Sequence, residues 1–136
     1  MIGLAVISLL TLTALPRIVG IADRAQVKSA RTATFNYLSA ARLAAQHGGR
    51  LVVFRVAGGV IWTEAQPRLV AAGLSTRDTL GPVKDLAGEY RLSVAATFDS
   101  IVFDPRGLGT GTGVVRLTRG AFADSVVVTG LGSVVR

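Results

Sequence analysis

From Met1 to Leu15 the chain carries no charged side chain, and its only polar groups there are the hydroxyls of Ser8, Thr11 and Thr13, before Pro16 and Arg17 follow. Such a run has to leave water, whether for lipid, a core or other chains, because burying one leucine or isoleucine gains about 1.5–3 kcal/mol. Spanning a bilayer takes about 20 apolar residues, and the uncharged part of this run is shorter. Counted on through Ile21 and Ala22, the run is broken only by Arg17. It has neither the basic n-region nor the small-residue cleavage site of a secretory signal, so a cleaved signal peptide is the weaker reading. A buried core helix is the competing reading, since runs of roughly 10–14 apolar residues are often that.

After Gly20 the pattern changes without stopping. Ile21, Ala25, Val27, Ala30, Ala33, Tyr37, Leu38, Ala41 and Ala44 recur at three- and four-residue intervals among Arg, Lys, Gln and Ser, the pattern of an amphipathic helix. Alanine favours helix, and no proline lies between Pro16 and Pro67. The expectation is one helix from residue 2 or 3 to about His47, kinked near Pro16 and stopped by Gly48 and Gly49. At 1.5 Å per residue it would be roughly 65 Å long, more than a small domain can cover, so part of it should protrude. The chain then divides into an apolar stalk for membrane or filament (1–22), an amphipathic continuation of the helix (23–49) and a β-rich head (50–136). Ile2, Leu4, Val6, Ile7, Leu9, Leu10, Leu12, Leu15 and Pro16 are the candidate stalk residues.

Beyond Gly49 the period drops to two and β-branched residues dominate. Leu51 to Val56 and Val60 to Thr63 read as a hairpin turning at Gly58-Gly59, with Trp62 packed in it. A weaker strand is expected over Arg68 to Ala72, and Gly73 to Gly88 reads as a long surface connection of no assigned structure. Tyr90–Ala95, Ser100–Phe103, Gly113–Thr118, Ser125–Thr129 and Ser133–Arg136 follow as short, closely spaced strands. The expected fold class is α+β: a long N-terminal helix and a small antiparallel, sandwich-like head.

Charge and composition narrow the chemistry. Of the net charge of +7, +5 falls in residues 1–50 and +2 in the rest. The excess therefore flanks the apolar run, where basic residues mark a membrane boundary, rather than forming a nucleic-acid groove on the head. Mean hydropathy is +0.52, which suits contact with lipid or a partner and argues against disorder. Without cysteine, disulfides and thiolate chemistry are excluded. His47 is the single histidine, so no histidine metal cluster can form, and its place at the expected helix end suits the helix dipole. There is no G-x-S-x-G elbow for a serine nucleophile. The glycines at 107, 109, 111 and 113 are followed by an alternating strand pattern and no Lys-Ser or Lys-Thr, so they read as a hairpin loop and not a phosphate cradle. Asp99 and Asp104 flank an expected strand at turns. No catalytic residue, cofactor or metal is implied, and the chain reads as a non-enzyme.

Three segments together resemble one family, the type II secretion minor pseudopilin H and type IV pilus FimT group (GspH/FimT). The apolar helix beginning Ile2-Gly3-Leu4-Ala5-Val6-Ile7 and reaching Ala14-Leu15-Pro16 is similar to that family's stalk and its proline. Ala40 to Val53, passing through His47-Gly48-Gly49-Arg50, resembles its passage from helix to first strand. Ile101 to Gly107 and then Val126 to Arg136 resemble its C-terminal pair of strands. The family's basic leader, cleaved glycine, Phe-Thr-Leu and acidic residue are not in this sequence, which opens inside the stalk, so the expectation is a chain N-terminally truncated relative to the family. The resemblance implies a structural subunit in the inner membrane, single-pass with its head in the periplasm. Its partners would be other pilins or pseudopilins and membrane lipid. On the stalk, Arg17, Arg24, Lys28 and Arg31 could meet acidic groups of neighbouring subunits or lipid phosphates. The alternative is a DNA-binding, FimT-like minor pilin for DNA uptake, with Arg116, Arg119 and Arg136 on nucleic acid. The family's Gly-Arg-x-Arg ending is Gly132-Ser133-Val134-Val135-Arg136 here, which weighs against that alternative.

Overall fold

The computed structural model describes residues 2–66 and 78–135, with side chains from Arg17 onward. Helix α1 spans Ile2–Gly48 and runs through Pro16 without interruption. Its C-terminal end is set by Gly49 in the left-handed region, φ 59°, which glycine enters without penalty. Among the described residues, nine short strands and one further helix follow: β1 (Val52–Ala57), β2 (Val60–Ala65), β3 (Asp78–Thr79), β4 (Lys84–Asp85), α2 (Leu86–Tyr90), β5 (Ser93–Ala96), β6 (Ser100–Phe103), β7 (Gly113–Arg119), β8 (Phe122–Val128) and β9 (Val134–Val135).

All pairings are antiparallel, in two sheets. The first has the order β3-β2-β1-β6, with β4 also on β2; the second has the order β5-β7-β8-β9. The registers place inward residues beside inward residues: Phe54 lies between Thr63 and Ile101, and Val52 between Ala65 and Phe103. In the second sheet Val115 pairs with Val126, and Gly113 with Val128, on the buried face. Helix α1 packs against both sheets, touching β7 and β8 on one and β1, β2 and β6 on the other. One core results, built on the helix stripe Val27, Ala30, Thr34, Leu38, Ala41 and Ala45. The buried Thr34 hydroxyl donates to the Ala30 carbonyl at 2.9 Å, so the stripe's one polar group is satisfied within the helix.

The expected first hairpin is present, with Gly58 and Gly59 at φ 58° and 84°, the backbone that two-residue primed turns need. A Cβ on Gly59 would lie 2.4 Å from Ala87 Cβ, because the Gly59 carbonyl receives the N–H groups of Leu86 and Ala87 at 2.9 and 3.2 Å. That contact docks α2, most of which falls in the connection to which the sequence assigns no structure. Asp85 caps α2 by accepting from Gly88 N at 2.8 Å, and Arg91 closes it at φ 50°. Tyr90 therefore belongs to α2, and the strand expected from Tyr90 begins at Ser93. Strand β8 begins at Phe122, three residues before the expected start, because full pairing with β7 extends to Arg119 opposite Phe122. Trp62 is half-buried, its indole N–H donating to Glu64 at 2.8 Å. The strand expected at 68–72 lies outside the described residues.

Candidate assembly interface

The helix has two unlike parts. From Val27 to Ala45 every third or fourth residue is buried under the sheets. Among the described side chains, the head's contacts nearest the helix N-terminus are at Gly20, which faces the Phe122 ring, and at Asp23, which meets Arg119. Around that end of the contact Ile18, Val19 and Ile21 are 62, 57 and 71% exposed. These three large apolar side chains continue the run that starts at Ile2 and stay mostly exposed. The side chains of the candidate stalk residues Ile2 to Pro16 lie outside the description. Their backbone is helical, and from Ile2 to Gly20 it extends about 27 Å. Among the described residues no helix is long and apolar enough to cross a membrane.

Polar contacts clamp the helix to the head at both ends of the buried stripe. The Arg119 guanidinium donates to the Asp23 carboxylate at 2.6 Å and to the Tyr90 carbonyl at 2.6 Å. Arg31 pairs with Asp124 at 2.6 Å, so it faces the head rather than a neighbouring subunit, unlike the expectation from sequence. Farther along, Tyr37 donates to the Pro82 carbonyl, Gln46 to the Arg106 carbonyl and Arg50 to Asp78. Gly107, at φ 80°, is held so close that a Cβ there would lie 2.4 Å from Gln46 Nε2 and 3.0 Å from Arg42 Nε. In the α2 region the Glu89 carboxylate, hydrogen-bonded to Lys84, holds the lysine above its ordinary pKa of 10.5, against a smaller opposing effect of burial.

The three arginines expected on nucleic acid are placed as follows. Arg119 is engaged by Asp23 and Tyr90, Arg116 is exposed on β7, and Arg136 lies outside the described residues. Asp104 serves its turn, accepting from the N–H groups of Arg106 and Leu108 at 2.9 and 2.8 Å. Among the described residues no group of three or more metal-ligating side chains occurs. Sequence reasoning missed the Asp23–Arg119 and Arg31–Asp124 pairs; the isolated acid at 23 on an otherwise basic helix was the available signal.

A long N-terminal helix laid against an antiparallel β head is the pilin fold. No family model matches the sequence, and no curated protein is similar to it. Among solved structures, it is similar to the Pseudomonas aeruginosa (strain PAO1) type IV minor pilin FimU. A P21 crystal form of that protein gives 12% identity and a TM-score of 0.61, over 84% of this chain and 90% of that one. A P65 form gives 13% identity and a TM-score of 0.59, over 79% and 89%.

Proposed function

We propose that this chain is a structural minor pilin or pseudopilin of the GspH/FimT kind, serving a type IV pilus or a type II secretion system. Held in the inner membrane as a single-pass protein with its head in the periplasm, it would pass into a filament by packing its helix beside those of other subunits. The observation that supports this reading is the division of α1: among the described side chains the head's contacts begin at Gly20, while Ile18, Val19 and Ile21 at that end of the helix stay mostly exposed. Anchoring rests on the apolar sequence from Ile2 to Leu15, and lipid and neighbouring helices offer that run comparable surroundings. The proposed role is structural, with no catalysis. The alternative of a DNA-binding pilin for DNA uptake has one described, unengaged arginine behind it, Arg116.

The chain has no cysteine, so single substitutions report contacts directly. Ile18→Cys and Ile21→Cys are expected to give disulfide-linked species in the membrane fraction on mild oxidation, while Thr112→Cys in an exposed head loop gives none. A full chain that is monomeric and soluble without detergent would overturn the reading.

A further inference from the structure

The edges of the two sheets are not treated alike. The outer side of β6 is closed by the loop after it: Thr110 N–H donates to the Val102 carbonyl at 3.0 Å, Val102 N–H to Thr110 Oγ1 at 3.2 Å, and Phe103 bridges to Gly109. Strands β3, β4 and β9 are two residues each, too short to template another chain. Strand β5 is different. Ser93-Val94-Ala95-Ala96 carries no charge or proline, and three of its four residues are exposed. Thr97 N–H donates to the Val114 carbonyl at 3.0 Å. By the alternation of an antiparallel ladder, Ser93 and Ala95 then also bond towards β7, leaving the N–H and C=O groups of Val94 and Ala96 pointing outward. Among the described residues no other element takes up those groups.

The two faces of this edge specify what would fit it. On the inner face Val94 and Ala96 border a groove of about 400 Å³ shared with Arg55, Val56, Trp62 and Phe98. On the outer face Arg116 stands in β7 directly beside Ala95, exposed and without an ion-pair or hydrogen-bond partner among the described residues. Strands lie about 4.8 Å apart, so a strand added to β5 would run roughly 10 Å from β7. Among the described residues the methyl of Ala95, paired with Arg116, is what stands between Arg116 and such a strand, so the guanidinium has a path to a carboxylate on it.

We propose that β5 is a strand-addition site for an extended segment of another polypeptide that alternates apolar and acidic residues. The apolar positions enter the groove, the acidic position meets Arg116, and main-chain hydrogen bonds to Val94 and Ala96 fix the register. The proposal uses neither the helix nor its membrane reading and can fail independently of them.

The test titrates the isotope-labelled full chain with a blocked hexapeptide alternating valine and glutamate, and with its valine–lysine counterpart. The valine–glutamate peptide should shift the amide signals of Val94 and Ala96 most and slow their hydrogen exchange. Arg116→Glu should weaken that peptide and strengthen the lysine one, each by about 1.4- to 5-fold, the range of cross-strand charge pairs. Val94→Pro removes an outward N–H and the valine side chain at the groove but no bond to β7, and should lose binding with the sheet intact; should that variant not fold, the wild-type exchange data and Arg116→Glu still decide. No response at Val94 and Ala96 to either peptide would overturn the proposal, as would an unchanged charge preference in Arg116→Glu. So would Arg116-dependent binding of duplex DNA without binding of peptide.

Discussion

Asp23 is the single carboxylate on α1, and its pairing with Arg119 closes the N-terminal end of the contact between helix and head. With charge centres about 4 Å apart, the gross attraction is about 4 kcal/mol at an effective dielectric of 20. Desolvation and side-chain ordering cancel most of that, and fully exposed pairs retain only about 0.2–1 kcal/mol. Here the side chains are 17% and 25% exposed, and the distance is 2.6 Å, so a coupling energy of about 1–2 kcal/mol is expected. Arg119→Ala should cost more than Asp23→Ala, by about 1 kcal/mol, because it also strips the Tyr90 carbonyl of its donor. Urea unfolding followed through the single tryptophan, for wild type, both single variants and the double variant, gives the coupling directly. A coupling below about 0.5 kcal/mol, or equal costs for the two single variants, would refute the assignment of this pair as the clamp.

Leu38 is fully buried where the helix meets the sheets, and Leu38→Ala should cost about 2–5 kcal/mol, read as a lowered urea midpoint with the slope unchanged. Gly59→Ala meets both a φ of 84° and a Cβ 2.4 Å from that of Ala87, so it should destabilise by more than about 1 kcal/mol and loosen the protection of the Leu86 and Ala87 amides. Lys84 is the group whose pKa is raised, chiefly by Glu89, so its stabilising contribution is complete below the ordinary lysine value of 10.5 and is lost as pH rises through the higher folded-state value. Subtracting the stability profile of Lys84→Met from that of wild type should isolate a fall confined to that alkaline window.

What could be read from sequence was whatever is written locally. The helix length follows from the absence of proline between 16 and 67, its stop from Gly48-Gly49, and the first hairpin from paired glycines between alternating strands. Strand β6 was legible because Ser100–Phe103 is bounded by turn residues, Asp99 and Asp104. The region from Asp78 to Tyr90 was not legible, since β3 and β4 are two-residue strands that exist only because both ends of β2 are available to them. Tyr90 looked like strand from its own propensity, and the Asp85 cap and the docking on Gly59 overrode it. The clamps were hidden for a similar reason. Arg119 finds Asp23, and Arg31 finds Asp124, across more than ninety residues, and no periodicity carries that information.

The helix itself records which of its neighbours belong to the same molecule. In the part covered by the head the buried positions are mostly small: alanine at 30, 41 and 45, threonine at 34, with Val27 and Leu38 the larger ones. Small residues let the helix lie close to the sheets, and the bulk of the core comes from the strands, through Phe54, Phe103, Ile61 and Leu117. Towards the N-terminus the sequence turns to leucine, isoleucine and valine, as at Leu9, Leu10, Leu12, Leu15, Ile18, Val19 and Ile21, and the last three of these are mostly exposed. Exposed as they are, Ile18, Val19 and Ile21 bury little area within the head and add little to its stability. If they serve an external contact, replacing Ile21 by Ser should leave the head's unfolding free energy within about 0.5 kcal/mol of wild type while the association measured by cysteine crosslinking at position 18 falls away. A loss of head stability beyond that, with association intact, would place Ile21 in the fold and not in the interface.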